Sequence, residues 1–90
     1  MKKLFPSGQY KKDYKRYRNN PRKMEALKEV LTMLKKEQPI PTEYFPHELL
    51  GKYKGCMECH IQGDFLLIWI DAKRDIIELV RLGSHSELFK

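Results

Sequence analysis

Residues 54–82 read KGCMECHIQGDFLLIWIDAKRDIIELVRL, and this stretch decides the fold. It contains three strand-like segments, 54–61, 65–71 and 75–82. Gln62-Gly63-Asp64 separates the first two, and Asp71-Ala72-Lys73-Arg74-Asp75 separates the others. Turns this short join antiparallel neighbours, so the stretch reads as a three-stranded meander. The middle segment is apolar throughout Phe65–Ile70, as expected of a central strand covered on at least one face.

Upstream the periodicity changes. Lys2-Lys3-Leu4-Phe5 is a short strand candidate stopped by Pro6, and Ser7 can cap a helix behind it. Tyr10, Tyr14 and Tyr17 follow at i, i+4 and i+7, an apolar stripe on a helix otherwise rich in Lys and Arg. Asn20 and Pro21 suit the N-cap and first position of a second helix, whose stripe is Met24, Leu27, Leu31 and Leu34 with Val30 beside it. A short link between two helices predicts a helical hairpin. Pro39, Pro41 and Pro46 mark 37–53 as a loop, and 83–89 reads as a loop or short turn. The whole, residues 1–90, is one α+β domain: a short strand, a two-helix hairpin, then the meander, with the helices on one sheet face.

Composition narrows the function classes. The longest apolar run is too short to span a bilayer, and the basic N-terminus lacks the apolar segment of a signal peptide, which points to a cytoplasmic protein with no membrane partner. Of the 18 Lys and Arg, 12 fall in residues 1–36 with only Asp13, Glu25 and Glu29, a local net of +9; the remainder carries −3. A basic half of this kind suits RNA or an acidic protein, or is a solvated helical surface. Lys11, Lys12, Lys15 and Arg16 on the first helix, with Lys52 and Lys54 before the meander, are the candidate RNA-contacting cations.

Cys56-Met57-Glu58-Cys59-His60 matches the C-x-x-C-H haem-attachment string. On a strand, however, Cys56 and Cys59 point to opposite faces, which disfavours a disulfide or a shared zinc; both read as small core residues. Three histidines, His47, His60 and His85, lie in the second half with Asp64 and Arg81. Strand alternation puts Lys54, Cys56, Glu58 and His60 on one face. Cleavage of RNA without a metal needs a base for the 2′-hydroxyl, an acid for the 5′-oxygen and a cation for the phosphorane. Histidine can fill the first two roles and the arginine fork the third. A metal site is the other use of such a set, but no histidine pair has helical i, i+4 spacing. Phe89 either stacks on an RNA base or tucks into the core.

The segments His47-Glu48-Leu49-Leu50-Gly51, Lys54-Gly55, Glu58-Cys59-His60-Ile61, Asp64 to Trp69, and Arg81-Leu82-Gly83-Ser84-His85-Ser86-Glu87-Leu88-Phe89 closely resemble the YafQ-type toxins of the RelE-like group. The first helix, from Ser7 to Asp13, fits as well. The resemblance implies a RelE-like fold and a toxin that cuts mRNA in the ribosomal A site, with no metal or other cofactor. It also implies a cognate antitoxin, expected here to present an acidic surface. By position it carries the active-site role to His47, His60, Asp64, Arg81, His85 and Phe89. His85 becomes the leading proton-transfer residue; His60, His47 and Asp64 share acid, base and orienting duties. Arg81 holds the phosphate and Phe89 positions a base. Three positions depart from the family pattern: Met57 stands for Arg, Phe65 for Trp, and Gly63 for a common Pro. The competing readings are a ParE-like gyrase poison, whose relatives lack the histidine set, and a non-catalytic RNA- or ribosome-binding module of the same fold.

Overall fold

The computed structural model describes residues 1–73 and 75–89, and the backbone alone at Ala72 and Lys73. Strand β1 (Lys3–Pro6) leads into helix α1 (Gly8–Tyr17) and helix α2 (Pro21–Lys35). A short strand β2 (His47–Glu48) precedes the meander β3 (Met57–Gln62), β4 (Phe65–Lys73) and β5 (Ile76–Gly83), and helix α3 (His85–Leu88) follows. The five strands lie in the order β1-β5-β4-β3-β2, with β1 parallel to β5 and the other pairs antiparallel. The meander thus forms as expected and gains a strand on each edge. The expected turn over 71–75 includes Arg74, which lies outside the described residues.

Both helix starts follow from their caps. The Ser7 hydroxyl accepts the Tyr10 N–H at 3.0 Å, and the Asn20 side chain accepts the Lys23 N–H at 3.1 Å with Pro21 in the first turn. Leu27, Val30 and Leu34 of α2 pack with Tyr10 of α1 onto Cys59, Phe65, Leu67, Trp69 and Leu82 of the sheet. The first-helix stripe differs from the expected one. Asp13, not Tyr14, turns inward and is fully buried, while Tyr14 is exposed. Residues 10, 13 and 17 share a helix face as readily as 10, 14 and 17, and the charge buried at 13 has a partner described below.

The other sheet face has a smaller core: Leu49, Tyr53 and Cys56 from the long loop, Leu66 and Ile68 from β4, and Leu88 from α3. Cys56 and Cys59 therefore sit in different cores on opposite faces, both as free thiols. Burial pushes the Cys59 thiol up to about 12. Two expected loops are partly ordered. The 37–53 segment contains β2 and 3-10 turns at Thr42–Tyr44 and Gly51–Tyr53. The tail closes as α3 because Ser84 caps it: the Ser84 side chain accepts the Glu87 N–H, and the Glu87 carboxylate accepts the Ser84 N–H at 2.8 Å.

Candidate active site

Sheet register places the site. His47 lies opposite Glu58, Glu58 opposite Ile68, and Ile68 opposite Arg81. Cross-strand neighbours share a face, so His47, Glu58 and Arg81 belong to the face away from α1 and α2. A second row, His60–Leu66–Gly83, runs beside it and delivers the chain to His85. The pairing of β4 with β5 shifts register between Ile68 and Trp69, leaving Val80 as an extra residue. Such a bulge reverses the alternation. Leu82 then shares the helix face with Leu79, and Arg81 turns to the site face.

The three histidines gather. The His47 and His60 ring centroids are 6.3 Å apart, and those of His60 and His85 are 5.6 Å apart. Phe89 sits 5.6 Å from His85, one helical turn on, and 41% of it is exposed, while Leu88 takes the core position. The choice left open for the terminal aromatic is thus resolved: Leu88 tucks in and Phe89 faces out.

His85 is held from two sides. Its backbone N–H donates to Asp64 Oδ1 at 3.0 Å, and its ring Nδ1 lies 3.0 Å from the same oxygen. An ionised carboxylate can only accept, so Nδ1 carries a proton and Nε2 faces outward as the exchanging nitrogen. The backbone N–H of His85, and then its ring, hold the Asp64 carboxyl below the usual carboxylate range. Asp64 occupies the two-residue β3–β4 turn behind Gly63, whose φ is 55°. Proline cannot adopt that φ, so Gly63 in place of the family's common Pro goes with a different turn.

Arg81 is anchored by Asp13. Its Nε and one terminal nitrogen donate to the Asp13 carboxylate at 2.8 and 3.2 Å, and the other terminal nitrogen donates to the Tyr53 hydroxyl at 3.0 Å. Of five guanidinium N–H groups, two have no partner among the described residues and can meet a phosphate. Asp13 also accepts the Leu82 N–H at 3.0 Å and the Gln9 amide at 3.2 Å, on the stretch of β5 beyond the last β1 pair, Pro6–Leu79. Burial opposes ionisation of Asp13, but the Arg81 fork, the Leu82 N–H and Gln9 outweigh it and keep the carboxyl below its ordinary range.

Glu58 was absent from the sequence-derived site, although alternation placed it on the His60 face. It is 2% exposed. Its Oε1 lies 3.2 Å from His47 Nε2 and 3.8 Å from His60 Nε2, and its Oε2 has no hydrogen-bond partner among the described residues. Because His47 Nδ1 is 2.7 Å from the Phe45 carbonyl, which can only accept, that nitrogen is the donor and Nε2 is the one turned to Glu58. Donor atoms of Glu58, His60 and His85 lie within 4.8 Å of one another, a set of N and O donors that could hold a transition metal. No helical spacing announced it, because β3 and α3 supply the donors. Among the RNA-contacting candidates, Lys11, Lys12, Lys15, Lys52 and Lys54 are exposed. Lys52 lies over the Tyr53 ring, and Arg16 pairs with Glu87 at 3.1 Å.

Comparison with known proteins gives the family of the chain. Residues 2–90 match the family model of the YafQ bacterial toxin of type II toxin–antitoxin systems. The mRNA interferase toxin YafQ of Escherichia coli K12 is 34% identical over 84 residues, covering 92% of this chain and 90% of that protein. A crystal structure of a copper-bound L66S mutant toxin from Helicobacter pylori superposes with a TM-score of 0.88 at 39% identity, over 99% of this chain and 100% of that one. YafQ in the E. coli DinJ–YafQ complex superposes with a TM-score of 0.84 at 30% identity, over the full length of both chains. The α+β sheet, the histidine cluster and these matches converge: the chain belongs to the YafQ family of type II toxin–antitoxin toxins.

Proposed function

We propose that this chain is an mRNA interferase that cleaves mRNA in the ribosomal A site by proton transfer between its own side chains and stops translation. The observation that carries the reading is the Asp64–His85 pair facing His60, with Arg81 in the next row of the same sheet face. A phosphate seated over the two rings contacts both histidines. One removes the 2′-hydroxyl proton as the 2′-oxygen attacks phosphorus. The other protonates the 5′-oxygen as the P–O5′ bond breaks, leaving a 2′,3′-cyclic phosphate and a 5′-hydroxyl. Asp64 orients His85 and stabilises its imidazolium, as a triad carboxylate does. The two free N–H groups of Arg81 meet the charge that grows on the phosphorane. His47 stands beside His60 with the Glu58 carboxylate between the two rings and shares the orienting duty, and Phe89 stacks on a base next to the scissile bond. Lys52 and Lys54 border this face, and Lys11, Lys12, Lys15 and Arg16 extend the basic surface along α1.

The partners follow from the same reading: the ribosome with its mRNA, and a cognate antitoxin, as DinJ is for the E. coli relative. No helix of the described residues is long and apolar enough to cross a membrane, which fits a cytoplasmic site of action. The donor cluster of Glu58, His60 and His85 favours a second role for the same atoms. A similar toxin from Helicobacter pylori is a copper-bound protein; on this chain a divalent transition metal of the zinc or copper kind would suit the imidazole and carboxylate donors, and by occupying the histidine lone pairs it would inhibit cleavage.

The test is to map RNA ends from a reconstituted translation reaction containing the toxin and a chelator selective for transition metals. Cyclic-phosphate and 5′-hydroxyl ends are expected, with the chelator harmless. Ends bearing 5′-phosphate would refute the mechanism, and DNA damage in cells with intact translation would favour the gyrase poison.

A further inference from the structure

Phe45 is not explained by the fold. Its side chain is 66% exposed, so packing does not hold it. Its backbone is left-handed, φ 50° and ψ 52°, a region that disfavours aromatic residues. It precedes Pro46, which further biases a residue toward extended conformations. Two local preferences are therefore overridden to present an apolar ring to solvent, and such strain gathers at functional sites. The ring stands edge-on to His60 with centroids 5.7 Å apart, and the carbonyl of the same residue receives His47 Nδ1 at 2.7 Å. From one end of the site to the other the rings run Phe45, His60, His85, Phe89, each 5.6 to 5.7 Å from the next.

We propose that Phe45 is a nucleobase-stacking platform, the counterpart of Phe89, so that the two bases flanking the scissile phosphate are held apart at opposite ends of the histidine row. This rests on the RNA-cleavage reading and adds a binding subsite to it. In-line attack places the 2′-oxygen opposite the departing 5′-oxygen, a geometry that stacked helical RNA does not offer. An enzyme can impose it by unstacking the two bases and giving each a new surface, and aromatic faces do this without regard to base identity. Among the described residues, Phe45 and Phe89 are the exposed aromatic rings in contact with the histidines.

The test uses ribosomes carrying an mRNA whose A-site codon has an uncleavable 2′-O-methyl group at the scissile nucleotide. The fluorescent base 2-aminopurine, quenched by stacking, is placed on either side in turn. Phe45→Gly fits the left-handed backbone better than Phe does, so its thermal midpoint should equal or exceed the parent's. RNA affinity and kcat/KM should nevertheless fall roughly 5- to 150-fold, the range expected for losing one base stack. The quench should vanish for one probe position only, and Phe89→Ala should abolish it for the other. Phe45→Trp should restore both affinity and quench; Phe45→Leu should not. Phe45→Gly that binds and quenches like the parent overturns the platform while leaving the nuclease intact. A parent chain that neither binds nor cuts the mRNA overturns the nuclease reading and the platform with it.

Discussion

Removing the Asp13 carboxylate should cost far more than a surface charge would. Asp13 is fully buried on α1 and accepts two hydrogen bonds from Arg81, one from the Leu82 N–H and one from Gln9. Asp13→Ala strands a largely buried guanidinium and a buried β5 N–H together. Breaking such a pair costs about 3–5 kcal/mol, and a domain of 90 residues has roughly 5–13 kcal/mol in total. The variant should therefore sit close to its unfolding threshold. Arg81→Met alone should cost a similar amount, because it orphans the carboxylate. Removing both partners together, Asp13→Leu with Arg81→Met, should cost clearly less than the sum of the single changes, with a coupling of about 2–3 kcal/mol. Urea unfolding followed by far-ultraviolet circular dichroism measures all four proteins, and an unchanged denaturant slope shows that the same transition is compared. Asp13→Ala within about 1 kcal/mol of the parent, or strictly additive single costs, would refute the view that this ion pair fastens α1 to the site strand.

Three further outcomes follow from particular contacts. The folded Asp13 carboxyl titrates below its ordinary value of 3.8, so its stabilising effect is complete above that pH and is lost as the pH falls through the folded value; Asp13→Asn should flatten the acid limb of a stability–pH curve below about pH 4. A Cβ on Gly83, whose φ is 153°, would come 2.6 Å from Glu87 Oε1, so Gly83→Ala should displace the capping carboxylate from Ser84 and Tyr17; hydrogen exchange should speed up across α3 and RNA cleavage should fall together with it. Excess zinc or copper should inhibit cleavage reversibly through Glu58, His60 and His85, with activity returning on chelation; stimulation by the metal would instead make it part of the reaction.

How much of this was legible in the sequence depended on whether a feature was periodic. The meander could be read because three strand-like segments, the middle one apolar throughout, are separated by two short turns over some thirty residues, and α2 because its stripe from Met24 to Leu34 persists for about three turns. β2 could not, since two residues carry no period and only pairing with Glu58 and Met57 defines it. α3 is a single turn held by Ser84, Glu87 and Tyr17, and two of its supports come from α1. The six site residues were named from motif and resemblance, yet their supports were missed for a physical reason. Asp13 looked like one more polar residue on a charged helix, because nothing local reveals that Arg81, 68 positions later, will reach it. Glu58 was placed on the right face by alternation, but its wedge between His47 and His60 depends on cross-strand register. The Val80 bulge, which turns Arg81 to the site face, has no glycine or proline to announce it.

The central claim, that these side chains cut mRNA on the ribosome with His85 as a proton-transfer group, is tested most directly by one comparison. A reconstituted translation reaction is run with the parent chain and with His85→Ala, and the mRNA is mapped by primer extension. Cuts inside A-site codons from the parent, reduced at least about 100-fold by His85→Ala in a variant that keeps its fold, are the expected result. Undiminished cutting by His85→Ala would contradict it, as would an intact mRNA in the presence of the folded parent protein.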